Sequence, residues 1–246
     1  MNFSGKVLLL SGAAGGIGIE IASQFYAAGA NLVLGDLDYT ELNSFATSLD
    51  PDGERVTVSV LDTTKAADVA RIVELAQKKF GAIDFLVPAA GVYSAGRLIQ
   101  KITDEEWHRV MSVNIDGVFY LVRSALPLMR DGGSIVNIAS VVAHRGSHSH
   151  AHYSASKGAL VAFTRSLALE VSPRLRVNAV SPGTIKTKMT EDLLREEEEW
   201  LLERTPLRRI GSPREVASVV AFLCSDMASY VHGEVIHVNG GFFMAG

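Results

Sequence analysis

The sequence predicts a single-domain α/β protein, doubly wound around a parallel sheet of about seven strands. Three observations predict it. Short apolar runs alternate with longer stretches of helical periodicity through all 246 residues. Several runs, such as Ile135-Val136-Asn137-Ile138-Ala139, are apolar almost throughout, which suits strands covered by helices on both faces. The first run leads into a glycine-rich turn and then a helical stretch, the beginning of a βαβ unit.

In chain order, strands are expected at 6–10, 31–35, 55–61, 85–88, 134–139, 176–180 and 234–238. Helices are expected at 17–28, 65–80, 104–129, 152–171, 190–204 and 213–224. The stretch 65–80 reads most plainly: Val69, Ile72, Val73 and Ala76 recur at three-and-four spacing with Lys and Glu between them, and Gly81 follows as a stop. No linker, low-complexity tract or repeat interrupts the chain, so residues 1–246 are read as one domain. The acidic run at 196–199 lies in a helical stretch and reads as a solvated face.

Composition bounds the function. Hydrophobic residues make up 48% and charged residues 20%, enough for a sizeable core. The net charge is −4 and the Lys and Arg residues are scattered, so nucleic acid is not an expected partner. No apolar run approaches the ~20 residues of a membrane span, and Met1-Asn2-Phe3-Ser4-Gly5-Lys6 lacks the pattern of a signal peptide. A cytoplasmic protein that avoids the membrane is expected. Cys224 is the only cysteine, and its neighbours Ala221-Phe222-Leu223 make it a core residue.

The glycine-rich turn is Ser11-Gly12-Ala13-Ala14-Gly15-Gly16-Ile17-Gly18. Glycines there let the backbone approach a pyrophosphate, and the following helix N-terminus offers free N–H groups and a positive dipole end. The spacing is Gly12-x-x-x-Gly16-x-Gly18, not the common G-x-G-x-x-G of a Rossmann fold. The next strand ends at Asp36, 18 residues after Gly18, where a carboxylate can bind the adenosine ribose hydroxyls. That carboxylate would repel a 2′-phosphate, and no Arg or Lys from 13 to 38 offsets it, so NAD is favoured over NADP. Asp38 is the fallback ribose ligand. Asp62 is read as an adenine contact or a helix cap.

Tyr153 and Lys157 stand at i and i+4 in a helical stretch, on one face. A free tyrosine, pKa ~10, is a poor base at neutral pH, but a nearby ammonium and a cationic nicotinamide both favour the phenolate. The pair is a sensible acid/base for interconverting an alcohol and a ketone. Ser140, 13 residues earlier at the end of a strand, adds a hydroxyl that can hold the substrate oxygen.

These motifs together closely resemble the short-chain dehydrogenase/reductase family, over essentially the whole chain. Gly12, Gly16, Ile17 and Gly18 look like its cofactor turn, with Ser11 where threonine is usual. The resemblance implies catalytic roles for Asn114, Ser140, Tyr153 and Lys157, with Asn114 kinking a helix and supporting a proton relay. It implies cofactor contacts at Ala90, Gly91, Pro182, Gly183, Thr184, Ile185 and Thr187, besides Tyr153 and Lys157. The closing Val238-Asn239-Gly240-Gly241 is family-like too. One motif departs: Pro88-Ala89-Ala90-Gly91 stands where the family shows Asn-Asn-Ala-Gly, which predicts altered local packing beside the cofactor. A non-catalytic dinucleotide-binding regulator on this fold would not need all four catalytic positions.

The substrate is expected to be a small carbonyl or alcohol. The loop from Ser140 to Tyr153 carries His144, His148, His150 and His152; surface or loop packing is expected of them, and no metal site is assigned. By resemblance this loop lines the pocket, so Val142, His150 and Tyr93 are candidate substrate contacts. Residues 184–205 are expected to form a small lid, with Leu194 or Trp200 as a cap. The region of Asp104-Glu105-Glu106-Trp107 is similar to β-ketoacyl-acyl-carrier-protein reductases, with Arg130 and Arg174 near positions that meet the carrier. Those reductases mostly use NADPH, which Asp36 opposes. Sugar, polyol and cyclic alcohol dehydrogenases share the scaffold. The family and the apolar tail Phe242-Phe243-Met244 predict a homotetramer.

Overall fold

The computed structural model describes residues 1–244. Seven strands, β1 (Val7–Ser11), β2 (Asn31–Asp36), β3 (Val56–Val60), β4 (Ile83–Pro88), β5 (Met129–Ile138), β6 (Arg176–Pro182) and β7 (Val235–Val238), form one sheet. Every pairing is parallel, and the order is β3-β2-β1-β4-β5-β6-β7. The crossovers therefore reverse direction between β1 and β4, which opens a crevice beyond the carboxyl ends of those strands.

The sequence alternates in a way that β1 makes explicit. Leu8 and Leu10 enter one core with Ile21, Ala22 and Phe25 of α1 (Gly16–Ala27), Leu42 of α2 (Tyr39–Leu49) and Val216 and Val220 of α9 (Pro213–Cys224). Val7 and Leu9 enter the other, with Val69 and Ile72 of α3 (Ala66–Phe80), Leu121 of α5 (Gly117–Ala125) and Leu160 of α7 (Ala151–Val171). A strand with both faces covered must be apolar at every position. Each fully buried leucine contributes about 1.5–3 kcal/mol, an upper bound because the unfolded chain is partly collapsed. Cys224 lies in the first core, its thiol pushed up to about 12 by burial, and is inert.

Four elements differ from the sequence expectation. Helix α2 was not anticipated. Its start is set by Asp38, whose carboxylate accepts from the Glu41 N–H at 3.0 Å, so Asp38 is a helix cap and not a free ribose ligand. The single helix expected over 104–129 is broken into α4 (Asp104–Met111), a π-helical segment Ser112–Asp116, α5 and a 3₁₀ turn Leu126–Leu128. The wide turn holds Asn114, and Pro127 ends the run because it supplies no N–H. Strand β5 starts at Met129, five residues early. The loop after Ser140 contains a short helix, α6 (Val142–Arg145). The remaining helix, α8 (Glu191–Arg204), carries the acidic run, which is exposed as expected.

Candidate active site

The glycine turn joins β1 to α1 at the reversal point. An ideal Cβ on Gly12, whose φ is +69°, would stand 2.6 Å from the Ala90 nitrogen. One on Gly18 would overlap the Gly12 carbonyl and stand 2.8 Å from Ala13 Cα, so Gly18 is what lets the helix close on the strand. A Cβ on Gly16 would meet Thr187 Cγ2 at 3.0 Å, which places the segment before α8 against the turn. Helix α1 has no side-chain cap, so its first N–H groups, those of Gly16, Ile17 and Gly18, remain free to receive an anion.

Asp36 ends β2 beside this turn. Its carboxylate accepts from Ala14 N at 2.9 Å and from Asp38 N at 3.2 Å. Sequence reasoning missed Lys188, which reaches from the turn before α8 and donates to both Glu41 carboxylate oxygens at 2.8 and 3.1 Å. Glu41 first, and Asp38 with it, raises the Lys188 pKa. A contact 147 residues apart leaves no local signal. Asp62 resolves as a turn residue and not as a helix cap: it accepts from the Thr64 hydroxyl at 2.6 Å and Thr64 N at 3.0 Å, and pairs with Lys65. The Thr64 bond is the main cause of its lowered pKa.

Pro88 pairs with Ser11 at the end of β4. The Ser11 carbonyl accepts from Ala89 N and its hydroxyl from Ala90 N, both at 3.2 Å, so Ser11 holds the altered turn. Asn137 lies two residues past Ile135 on β5, as Pro88 lies two past its partner Leu86 on β4. Its Nδ2 donates to Thr164 at 2.9 Å, but its Oδ1 is buried without a partner. An asparagine at 88 would offer a donor near that height on the neighbouring strand.

The four expected catalytic residues come from three places, Asn114 from the π-helical segment, Ser140 from the turn after β5, and Tyr153 and Lys157 from α7, and converge here. An ideal Cβ on Gly91 would lie 3.3 Å from Asn114 Oδ1 and 3.7 Å from Lys157 Nζ. Asn114 is fully buried; its Oδ1 accepts from Val92 N at 2.9 Å, and its Nδ2 donates to Val92 O and to Ser156 Oγ, each at 3.1 Å. Ser140 follows β5; its hydroxyl accepts from Val142 N at 3.4 Å and stands close enough to Tyr153 to lower that phenol's pKa. Lys157 Nζ lies 5.8 Å from the Tyr153 ring centroid.

The electrostatics differ from the expectation of a lowered tyrosine pKa. Burial pushes Tyr153 up to about 12; the nearby Ser140 hydroxyl opposes this and Tyr93 adds to it. Burial also pushes Lys157 down to about 8. The lysine ammonium is directed at the Ile138 carbonyl, 2.8 Å away, and gives the phenolate little help. The protein's own groups therefore favour a protonated tyrosine.

Val141 N donates to Pro182 O at 2.9 Å, and Gly183 N to Val238 O at 3.0 Å, so these family-like motifs brace one another. An ideal Cβ on Gly183 would stand 2.8 Å from Asn239 Cβ. Thr184 O accepts from Gly211 N at 3.0 Å, and Ile185 bridges to Gly211. Val142 is partly buried in α6. Tyr93 stacks on His150 at 4.7 Å and meets the Tyr153 ring edge-on at 5.0 Å. Of the surface and packing roles expected of these histidines, His152 takes packing, being only 1% exposed. His144 packs against His237 and Phe243, and Trp200 against Phe242, so the aromatic tail is at least partly used within the chain. Arg130 bonds Asp84, and Arg174 bonds the Met129 and Leu126 carbonyls; both stand at the end of the sheet opposite Ser140.

A family model described as "Enoyl-(Acyl carrier protein) reductase" matches residues 12–243. The 3-oxoacyl-[acyl-carrier-protein] reductase of Thermotoga maritima is 40% identical, over 98% of this chain and 99% of its own. A Brucella melitensis structure named as a short-chain dehydrogenase/reductase, glucose/ribitol dehydrogenase, is 50% identical, covers both chains fully and has a TM-score of 0.97. A 3-ketoacyl-(acyl-carrier-protein) reductase from the same organism, solved with NADH, is 32% identical over 99% of this chain and 100% of its own, with a TM-score of 0.92. The glycine turn, the crevice at the sheet reversal and the Ser140–Tyr153–Lys157 cluster agree with these likenesses, and the chain belongs to the short-chain dehydrogenase/reductase family of oxidoreductases that act on CH–OH and keto groups.

Proposed function

We propose that the chain is an NAD(H)-dependent enzyme that interconverts a ketone and a secondary alcohol, with Tyr153 as the proton donor and acceptor. The convergence of Ser140, Tyr153, Lys157 and Asn114 beside the glycine turn carries this reading. The fit to a dinucleotide rests on the uncapped α1 N-terminus and on the absence of any side chain at Gly12 and Gly16. Gly12, Gly16, Ile17 and Gly18 would hold the pyrophosphate with Thr187. Asp36 would hold the adenosine ribose, and Ala90, Gly91, Pro182, Gly183, Thr184 and Ile185 the nicotinamide half; Asp62 contributes by shaping the adenine edge.

When bound, the nicotinamide gives or takes the hydride and, oxidised, adds a positive charge. Ser140 and Tyr153 hold the substrate oxygen. In reduction the Tyr153 phenol, kept protonated by burial, donates its proton to that oxygen; in oxidation it takes one back. Lys157, held by the Ile138 carbonyl and an ammonium below pH about 8, would bind the nicotinamide ribose. Asn114 fixes Val92 and the wide helical turn, which supports the path by which Lys157 exchanges protons.

NAD over NADP is supported by the charge around the ribose site: Asp36, Asp38 and Glu41 against Lys188 alone. The substrate is a small carbonyl or alcohol. A carrier-borne 3-oxoacyl thioester is one candidate class, and sugars, polyols and cyclic alcohols are the other. The structural commitments of Arg130 and Arg174 favour a free small molecule. A cytoplasmic homotetramer is the working state, supported by exposed Phe119 on α5 and Leu169 on α7; a monomeric mass would contradict it. Among the described residues, no helix is long and apolar enough to cross a membrane. The test is a panel of ketones and alcohols, including 3-oxoacyl thioesters, with both cofactors. Turnover with NADH is expected, and equal or better efficiency with NADPH would refute the cofactor assignment.

A further inference from the structure

Residues 92–97 leave the crevice floor without regular secondary structure, yet they carry Tyr93 to the edge of the Tyr153 ring. Something else must fix them. At one end Asn114 grips the Val92 backbone. At the other, Arg97 N donates to Ser149 O at 2.7 Å, and Arg97 pairs with Glu106. Between them the Ser94 hydroxyl meets His152 Nε2 in a short hydrogen bond across 58 residues.

His152 is unlike the other histidines of its loop. It sits in the first turn of α7, directly before Tyr153, and is 1% exposed. Its Nδ1 is buried with no partner, so a second ring proton would have no acceptor. Burial, then the neighbouring His150, lowers its pKa, while Glu106 pulls the other way. A buried neutral imidazole held by a hydrogen bond is a rigid strut. The bond it makes is to the segment that bears Tyr93, and the chain position it occupies abuts the acid/base. Nothing in the proton transfer assigned to Tyr153, Ser140 and Lys157 uses it.

We propose that His152 is a positioning residue that, through Ser94, pins residues 92–97 and so holds Tyr93 as a fixed wall beside Tyr153, setting which substrates fit. The inference rests on the reading of Tyr153 as acid/base. A glutamine at 152 can place its amide near the imidazole Nε2 position, whereas phenylalanine fills the volume and cannot bond.

The experiment compares His152→Phe, Ser94→Ala, the double variant and His152→Gln in the full-length protein, using whichever compound of the panel turns over. His152→Phe and Ser94→Ala are expected to raise KM about 5- to 10-fold with kcat within about twofold. The double variant should be no worse than the poorer single one, and His152→Gln should recover most of the loss. Backbone amides 92–97 should exchange with deuterium about tenfold faster in His152→Phe, a readout that needs no substrate. Unchanged KM and exchange in a folded His152→Phe, or fully additive losses in the double variant, would overturn the proposal. If Tyr153→Phe turns over normally, the acid/base reading fails; if Tyr153→Phe is inactive and His152→Phe is silent, only the strut fails.

Discussion

The two ends of the crevice solve opposite problems with water. At the Tyr153 end, Asn114 and Ser156 are 0% exposed and Lys157 is 5%, and burial dominates the shifts of both Tyr153 and Lys157. At the Asp36 end, Asp38 stands in solvent, Glu41 is half-exposed, and a salt bridge draws the exposed Lys188 to Glu41. On the proposed reading, one end holds protons by excluding water and the other selects charge while remaining wet. Single groups should therefore matter much more at the first end than at the second, where screening and hydration share the work.

The comparison can be broken at several levels. Lys157→Met should leave the fold intact, because a buried ammonium is replaced by an apolar chain of similar length, and should lower kcat/KM by about 10²- to 10⁴-fold in steady-state assays. A loss under tenfold would remove the lysine from the proton path. Gly18→Ala should cost about 2–4 kcal/mol in denaturant unfolding, since its Cβ collides with backbone that cannot move aside. A wild-type midpoint would show that the turn yields more easily than its packing implies.

Asp36→Ala should shift the NADPH:NADH ratio of kcat/KM upward by about 10- to 100-fold, mostly through the cofactor KM, because one repelling carboxylate of the wet end is removed. An unchanged ratio would shift the selection to Asp38 and Glu41. Smallest is Lys188→Ala: the salt bridge it breaks is exposed, so cofactor affinity should change less than about fivefold and the change should fade at high salt. A larger, salt-insensitive effect would make the Lys188–Glu41 contact a true clamp and blur the contrast between the ends.

How legible each end was in the sequence follows the same division. The glycine turn, Asp36, Ser140, Tyr153 and Lys157 are spaced by the βαβ repeat itself, so local pattern was enough to find them. The same holds for β1 and α3, whose apolar spacing reflects which faces they bury. Helix α2 escaped notice because Leu42, Phe45 and Ala46 make a short apolar stripe among Thr, Ser and Asn, although Asp38 and Glu41 bore the capping spacing. The break at Ser112–Asp116 left no periodicity of its own; only the resemblance implied it. Lys188–Glu41 and Ser94–His152 join distant parts of the chain, and the Tyr153 pKa depends on burial from several elements. Neither could be read along one strand of sequence.

The most direct test of the central claim is Tyr153→Phe, assayed for turnover and for NADH binding in the same preparation. The account predicts turnover reduced by at least about 10²-fold with NADH affinity within about threefold of the parent, because the hydroxyl moves a proton and the ring alone keeps the packing against Tyr93. Undiminished turnover with binding intact would contradict it.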